Sequence, residues 1–300
     1  MMSYHEPALL SETLNGLITD TNGTYVDVTF GGGGHSKAIL AKLSSQGTLF
    51  AFDQDEDVRN HLPQDSRFNF IDSNFRFMKN HLRMQGVHLV NGILADLGVS
   101  FHQFDTAERG FSIRFDGPLD MRMGSSVELT AADVLNTYEE EELARMFYFY
   151  GELKNSRKIA YKIVSQRKTK KLETIAELLE LVEGLYPQNQ KNKFLARLFQ
   201  AIRIEVNDEI AALKAMLNQS VDLLSTGGRL AVISYHSLED RLVKNFMKTG
   251  NMKGDLEKDF YGNPLVPFKL VTRKPIAPSD EEINRNSRAR SAKLRVAERI

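Results

Sequence analysis

The 300-residue sequence has no cysteine. A disulfide framework, a thiolate nucleophile and a Cys-ligated zinc or iron–sulfur centre are therefore excluded. Catalysis must draw on oxygen and nitrogen groups or on a borrowed cofactor. Long apolar runs are missing too, since no stretch approaches the roughly 18 consecutive apolar residues of a membrane span. The first ten residues carry no basic segment followed by an apolar run, so no secretory signal is expected. The sequence reads as that of a cytosolic protein. Neither sign of charge is in excess, because 39 basic and 39 acidic residues cancel. The 42% hydrophobic and 26% charged residues make the balance of an ordinary globular protein. The length accommodates two domains at roughly 150 residues each.

The zero net charge conceals blocks. Residues 1–153 carry 11 basic against 22 acidic side chains, 154–203 carry 12 against 4, 204–240 carry 2 against 6, and 241–300 carry 14 against 7. Two basic blocks in an otherwise acidic chain either attract a polyanion or form solvated helix faces. Charge alone leaves both open.

Residues 24–30 (Thr-Tyr-Val-Asp-Val-Thr-Phe) are β-branched and aromatic and stop at four glycines, which predicts a strand feeding a glycine loop. A short helix is expected at 35–43 and strands at 48–53, 68–72 and 88–96. Strands alternating with helical stretches imply βαβ units and a parallel sheet. Residues 97–136 read as loop. Helical patterns follow at 138–150, 154–167, 171–186 and 192–224, the last ended by Gly227-Gly228. A strand at 229–235, a helix at 237–248, a surface loop at 251–267 and late strands at 268–273 and 291–297 complete the reading. The expected fold class is α/β. The sheet domain comes in two pieces, 1–106 and 205–300, around a mostly helical insert at 107–204.

A strand ending in Gly31-Gly32-Gly33-Gly34 before a helix suits a nucleotide-type ligand. Glycine lets the backbone approach closely, and a helix N-terminus favours negative charge. The strict dinucleotide pattern G-x-G-x-x-G fails at Ser36, and the Walker pattern is absent. Asp27 precedes the loop and Asp53 ends the next strand, where a carboxylate accepts ribose hydroxyls. Asp96, in Asp96-Leu97-Gly98-Val99-Ser100, ends the fourth strand and is placed over the same crevice. At this point S-adenosylmethionine and NAD both remain open. Glu108-Arg109-Gly110-Phe111-Ser112, the loop around Asp120 and Arg122, and Ser234-Tyr235-His236-Ser237 are further polar segments of the kind that carry function.

Taken together these motifs resemble the bacterial small-subunit ribosomal RNA methyltransferase H (MraW) family. The resemblance rests on His5-Glu6-Pro7-Ala8-Leu9-Leu10, residues 27–36, Ala51-Phe52-Asp53-Gln54-Asp55 and residues 96–103. It continues through 108–112, 116–123, 199–209, 234–241 and 288–295, in the family's order along almost the whole chain. Ser100-Phe101-His102-Gln103 departs from the family's Ser-Ser-Pro-Gln. The resemblance implies a Rossmann-like sheet and S-adenosylmethionine as cofactor. It implies methylation of the N4 amine of a cytidine in the decoding region of 16S ribosomal RNA within the small subunit. Carried over by residue, it implies cofactor contacts at Gly33, Gly34, His35, Asp53, Phe75, Asp96 and Gln103. Asp96 is the first candidate for the catalytic acceptor, with Tyr235 and His236 as candidates for holding the target base. Neither a metal nor a membrane is expected. The oligomeric state, monomer or homodimer, stays open. The basic insert and Arg285, Arg288, Arg290, Lys293 and Arg295 of the C-terminal segment are expected to grip RNA phosphates. An NAD-dependent oxidoreductase and a non-catalytic RNA-binding assembly factor are the competing readings.

Overall fold

A computed structural model describes residues 7–300, so His5 and Glu6 lie outside the described residues. The chain divides into two compact units. One comprises the residues up to Gly98 together with Ile210–Ile300, the other Val99–Glu209.

The first unit is built on seven strands: β1 Thr24–Asp27, β2 Thr48–Asp53, β3 Phe68–Asp72, β4 Val90–Asp96, β5 Leu224–Ser234, β6 Phe268–Leu270 and β7 Lys293–Arg299. Their order in the sheet is β3-β2-β1-β4-β5-β7-β6. The first five run parallel, whereas β7 is antiparallel to both β5 and β6. The fold is a Rossmann-like α/β sheet. Residues such as Val26, Phe52, Ile93, Leu94, Val232 and Ile233 are fully buried, as expected where helices cover both faces of a parallel sheet. The strand order reverses between β1 and β4, so the carboxyl ends of these strands open a crevice where ligands of such sheets bind.

Several sequence-level expectations shift. β1 stops at Asp27 rather than at 30. The Asp27 carboxylate accepts the Thr29 N–H (3.1 Å), while the Val28 and Phe30 N–H groups still donate to Leu94 and Phe52 carbonyls. The expected helix at 192–224 is two helices, Lys191–Asn207 and Glu209–Leu223, because Asp208 takes a left-handed conformation (φ 48°) between them. Gly227-Gly228 lie within β5, which begins at Leu224.

The second unit is helical around its own core, with Leu135, Phe147, Ile163, Leu178, Leu198 and Ile202 fully buried. The segment read as loop at 97–136 contains the helices Phe101–Asp105 and Ala131–Thr137, each started by a capping box, Ser100 with Gln103 and Thr130 with Asp133. Its polar motifs serve this packing. Asn207 accepts the Met123 N–H (2.7 Å) and donates to the Met121 carbonyl (2.8 Å). Arg203 makes a two-pronged pair with Glu209 at 2.8 and 2.9 Å, the geometry that a planar guanidinium favours.

Candidate active site

Gly33 caps the helix Gly34–Lys42 in a left-handed conformation (φ 75°), and Gly31 is left-handed as well (φ 52°). The Gly33 N–H donates to the Phe30 carbonyl (2.8 Å), closing the turn. A Cβ at Gly33 would stand 2.7 Å from the Phe30 ring, and one at Gly34 would stand 2.6 Å from the Pro7 ring. Gly32 differs, because a Cβ there meets nothing within 4 Å and its φ is ordinary. The four glycines are thus not equivalent. Gly33→Ala should cost about 1–2 kcal/mol in backbone strain and about 1–3 kcal/mol in overpacking. Gly32→Ala should stay within about 0.5 kcal/mol of the parent. Thermal unfolding of the two variants checks this, and equal melting temperatures would contradict it.

Three carboxylates gather at the strand ends, and all three are pushed up in pKa by burial. Asp27 is fully buried. It accepts the Ser36 hydroxyl (2.7 Å), so the serine that breaks the dinucleotide pattern ties the helix start to β1. Burial raises its pKa, partly offset by His35 and by the Ser36 bond. Asp53 accepts the Gly31 N–H on Oδ2 (2.8 Å) and the Asp55 N–H on Oδ1 (3.0 Å). Burial pushes it up to about 6. Each Asp53 oxygen keeps a further lone pair, so the carboxylate braces the glycine loop and can still accept two hydroxyls of a ribose. Phe75 follows closely. The Ser73 N–H donates to the Asp53 carbonyl (2.9 Å), and the Asn74 amide donates to Gln54 (2.9 Å). The half-buried Phe75 opens the next turn with its ring against the sheet core.

Asp96 ends β4. Its N–H donates to the Thr29 hydroxyl (2.7 Å), a bond that joins it to the strand–loop junction of β1. Tyr235, just beyond β5, donates its hydroxyl to Asp96 Oδ1 (2.9 Å). His35 Nδ1 lies 3.5 Å from Asp96 Oδ2. Burial pushes Asp96 up to about 7, with the nearby charge of Glu239 adding to the rise and the Tyr235 bond opposing it. Burial also lowers the His35 pKa, so its ring is neutral at pH 7. The His35 Nε2 beside the Ala8 carbonyl (3.2 Å) then carries the proton, which leaves the Nδ1 lone pair toward Asp96. Burial and the Asp96 carboxylate raise the Tyr235 pKa, so its phenol remains a donor. Asp96 keeps 22% of its side-chain surface exposed, so an incoming group can reach it. The arrangement is a carboxyl poised near neutrality and held by one donor. Such strongly shifted carboxyls mark functional sites.

His236 holds the start of the next helix. It caps the helix Ser237–Thr249, with Nδ1 accepting the Glu239 N–H (3.4 Å). The buried Glu239 in turn accepts the Tyr235 and His236 N–H groups (3.0 and 3.4 Å). These contacts fix the turn that delivers Tyr235 to Asp96. Of the residues expected from the sequence, Gly33, Gly34, His35, Asp53, Phe75, Asp96 and Tyr235 belong to the sheet unit. Gln103 belongs to the helical unit, where its carboxamide accepts the Ser100 N–H (3.0 Å). Sequence reasoning passed over Thr29, which positions Asp96, and Glu239, which positions Tyr235. Of the expected phosphate grips, Arg295 is corrected by the structure. It is buried and held by Asp240 at 2.7 and 3.2 Å. Among the described residues no group of three His, Asp or Glu could hold a metal, and no helix is long and apolar enough to cross a membrane.

The sequence matches the MraW methylase family over residues 2–300. The chain belongs to that family. Its relatives include a protein of Phocaeicola vulgatus that is 57% identical over 296 residues, covering 99% of this chain and 97% of the relative. A Parabacteroides distasonis protein is 56% identical over 99% of this chain and 98% of the relative. One from Flavobacterium johnsoniae is 56% identical over 100% and 99%. All three are named ribosomal RNA small subunit methyltransferase H. Membership in a methylase family removes the NAD-dependent oxidoreductase from consideration.

Proposed function

We propose that this MraW-family protein transfers a methyl group from S-adenosylmethionine to the N4 amine of a cytidine in the decoding region of 16S ribosomal RNA, acting on the small subunit in the cytoplasm. The coarser statement, a ribosomal RNA methyltransferase that uses S-adenosylmethionine, follows from the whole-chain family membership and the names of its relatives. The finer choice of atom and region rests on the motif resemblance. The observation that carries the reading is the strand-end carboxyl Asp96, raised to about 7 and placed beside the glycine loop.

The residues fit the cofactor. Asp53, with lone pairs to spare, would hold the ribose hydroxyls. The backbone at Gly33 and Gly34 would line the approach, and Phe75 would lie against the adenine. When bound, the cofactor supplies a methyl group already activated on a sulfonium. The protein's task is therefore chiefly positioning. A cytosine amine is a poor nucleophile because its lone pair is delocalised into the ring. Asp96 Oδ2 accepts a hydrogen bond from that amine, orients its lone pair and takes its proton as positive charge develops. Tyr235 keeps Asp96 in place. The base must be unstacked before its edge can be reached.

The 154–203 block, with 12 basic and 4 acidic residues, would contact the phosphate backbone. Binding to RNA should then weaken steeply as salt rises, and a flat salt response in filter binding would contradict this. The function itself is tested by mass-spectrometric mapping of small-subunit RNA from cells lacking the protein. A single decoding-region cytidine should lose its N4 methyl group. An unchanged RNA methylation pattern would sink the reading.

A further inference from the structure

The helix Ser237–Thr249 and the segment leaving β6 enclose a cleft of about 260 Å³, lined by Lys244, Met247, Lys248, Leu270, Thr272, Arg273 and Arg295. Its apolar floor is Met247 and Leu270. Four cationic side chains line it and no acidic one does. Arg295 is committed to Asp240. Lys244, Lys248 and Arg273 are exposed and take no ion pair with any described residue. Lys244 and Lys248 are one helical turn apart, a spacing at which like charges repel. An uncompensated cationic cluster of this kind is stabilised by an anion. The loop 251–267 leaves the Lys248 end of the same helix and presents Phe260 and Tyr261 at 96% and 85% exposure. Its tip is pinned, because Asp259 accepts the Tyr261 and Asn263 N–H groups (2.9 and 2.8 Å). A cationic groove that tracks the backbone is what holds single-stranded nucleic acid through its phosphates, and exposed rings such as Phe260 and Tyr261 on the adjoining loop are the kind on which bases stack.

We propose that this cleft is a second docking site for the backbone of the substrate RNA, separate from the methyl-transfer centre. The proposal rests on the ribosomal RNA reading above and deepens it. Lys244 lies about 10 Å along its helix from Ser237 at 1.5 Å per residue. β6 lies three places from β4 in the sheet, about 14 Å at the usual strand spacing. A contact so placed adds affinity without touching the reacting atoms. Only a large RNA reaches both sites at once, so the cleft favours the long ribosomal RNA over a short fragment around the target base.

The test compares wild type with the triple variant Lys244→Gln, Lys248→Gln, Arg273→Gln, all at exposed positions, in binding to protein-free small-subunit RNA across a salt series. The variant should bind at least tenfold more weakly near physiological salt. The slope of log affinity against log salt should fall by about 2 to 3, the contribution of three phosphate contacts. The KM for undermethylated subunits should rise with kcat unchanged. Affinity within twofold of wild type and an unchanged slope would overturn the proposal. So would a variant that binds protein-free RNA normally but loses affinity for whole subunits, since the cleft would then face a protein. Failure of the wild type itself to bind or methylate the RNA would instead overturn the underlying functional reading, and this proposal with it.

Discussion

Asp96→Asn should lower turnover by about 10²- to 10⁴-fold, the usual contribution of a positioned proton acceptor. Affinity for RNA should persist. The amide keeps an oxygen for the Tyr235 hydroxyl but can no longer take the proton of the amine. In the wild type kcat should rise with pH and level off above about 7, because Asp96 must be ionised to act and its carboxyl is held near 7. The variant should lose that limb. The same substitution carries a stability signature. An aspartate held near 7 in the folded protein and near 3.8 when unfolded binds its proton more tightly when folded. Its ionised form therefore penalises the fold, with stability lost as pH rises from about 4 through 7. At pH 8 Asp96→Asn relieves that penalty, and the variant should be more stable by on the order of 1–3 kcal/mol. Lower turnover with a lower melting temperature would indicate a structural residue instead of a catalytic one.

Asp53→Ala should weaken binding of the methyl donor by about 10²-fold. Two hydrogen bonds to a charged acceptor, at roughly 1.5 kcal/mol each, give about 3 kcal/mol. The variant also releases the Gly31 and Asp55 N–H groups that now rest on the carboxylate. Because burial holds Asp53 near 6, donor affinity in the wild type should fall as pH drops through about 6. Protonation removes an acceptor site that the ribose needs. Asp53→Asn should bind weakly at every pH and lack this dependence. Calorimetric titration with S-adenosylhomocysteine between pH 5 and 8 reads both effects. A wild-type affinity that is flat over this range would contradict the ribose role.

Two strands were legible to their ends, one buried at four successive positions and one buried only at Ile71. Thr48–Asp53 and Phe68–Asp72 match expectation to the residue, since short apolar and aromatic runs between polar turns have few alternatives. The helix break at Asp208 was hidden, because an aspartate in the left-handed region interrupts a helix without proline or glycine to announce it. The two helices at 101–105 and 131–137 were read as loop because each is one or two turns long and depends on its capping box more than on periodicity. In the site, the residues that present chemistry stood out by motif, whereas their supports did not. Thr29 reaches Asp96 across 67 residues of sequence, and Tyr235 reaches it across 139. Such pairs exist only once the strands are in register. His236 stood out as a titratable side chain, while its part in starting a helix shows only in the fold. Lys244, Lys248 and Arg273, which take no ion pair among the described residues, do not stand out in the sequence, because pairing is invisible until partners such as Asp240 and Arg295 are seen together.

The most direct measurement supplies purified protein with S-adenosylmethionine carrying a labelled methyl group and with small subunits that lack the modification, then locates the label. One methyl group per subunit, on the N4 atom of a single decoding-region cytidine, is the predicted result. Label on another atom or another RNA, or no incorporation by a protein that binds the donor, would contradict the account.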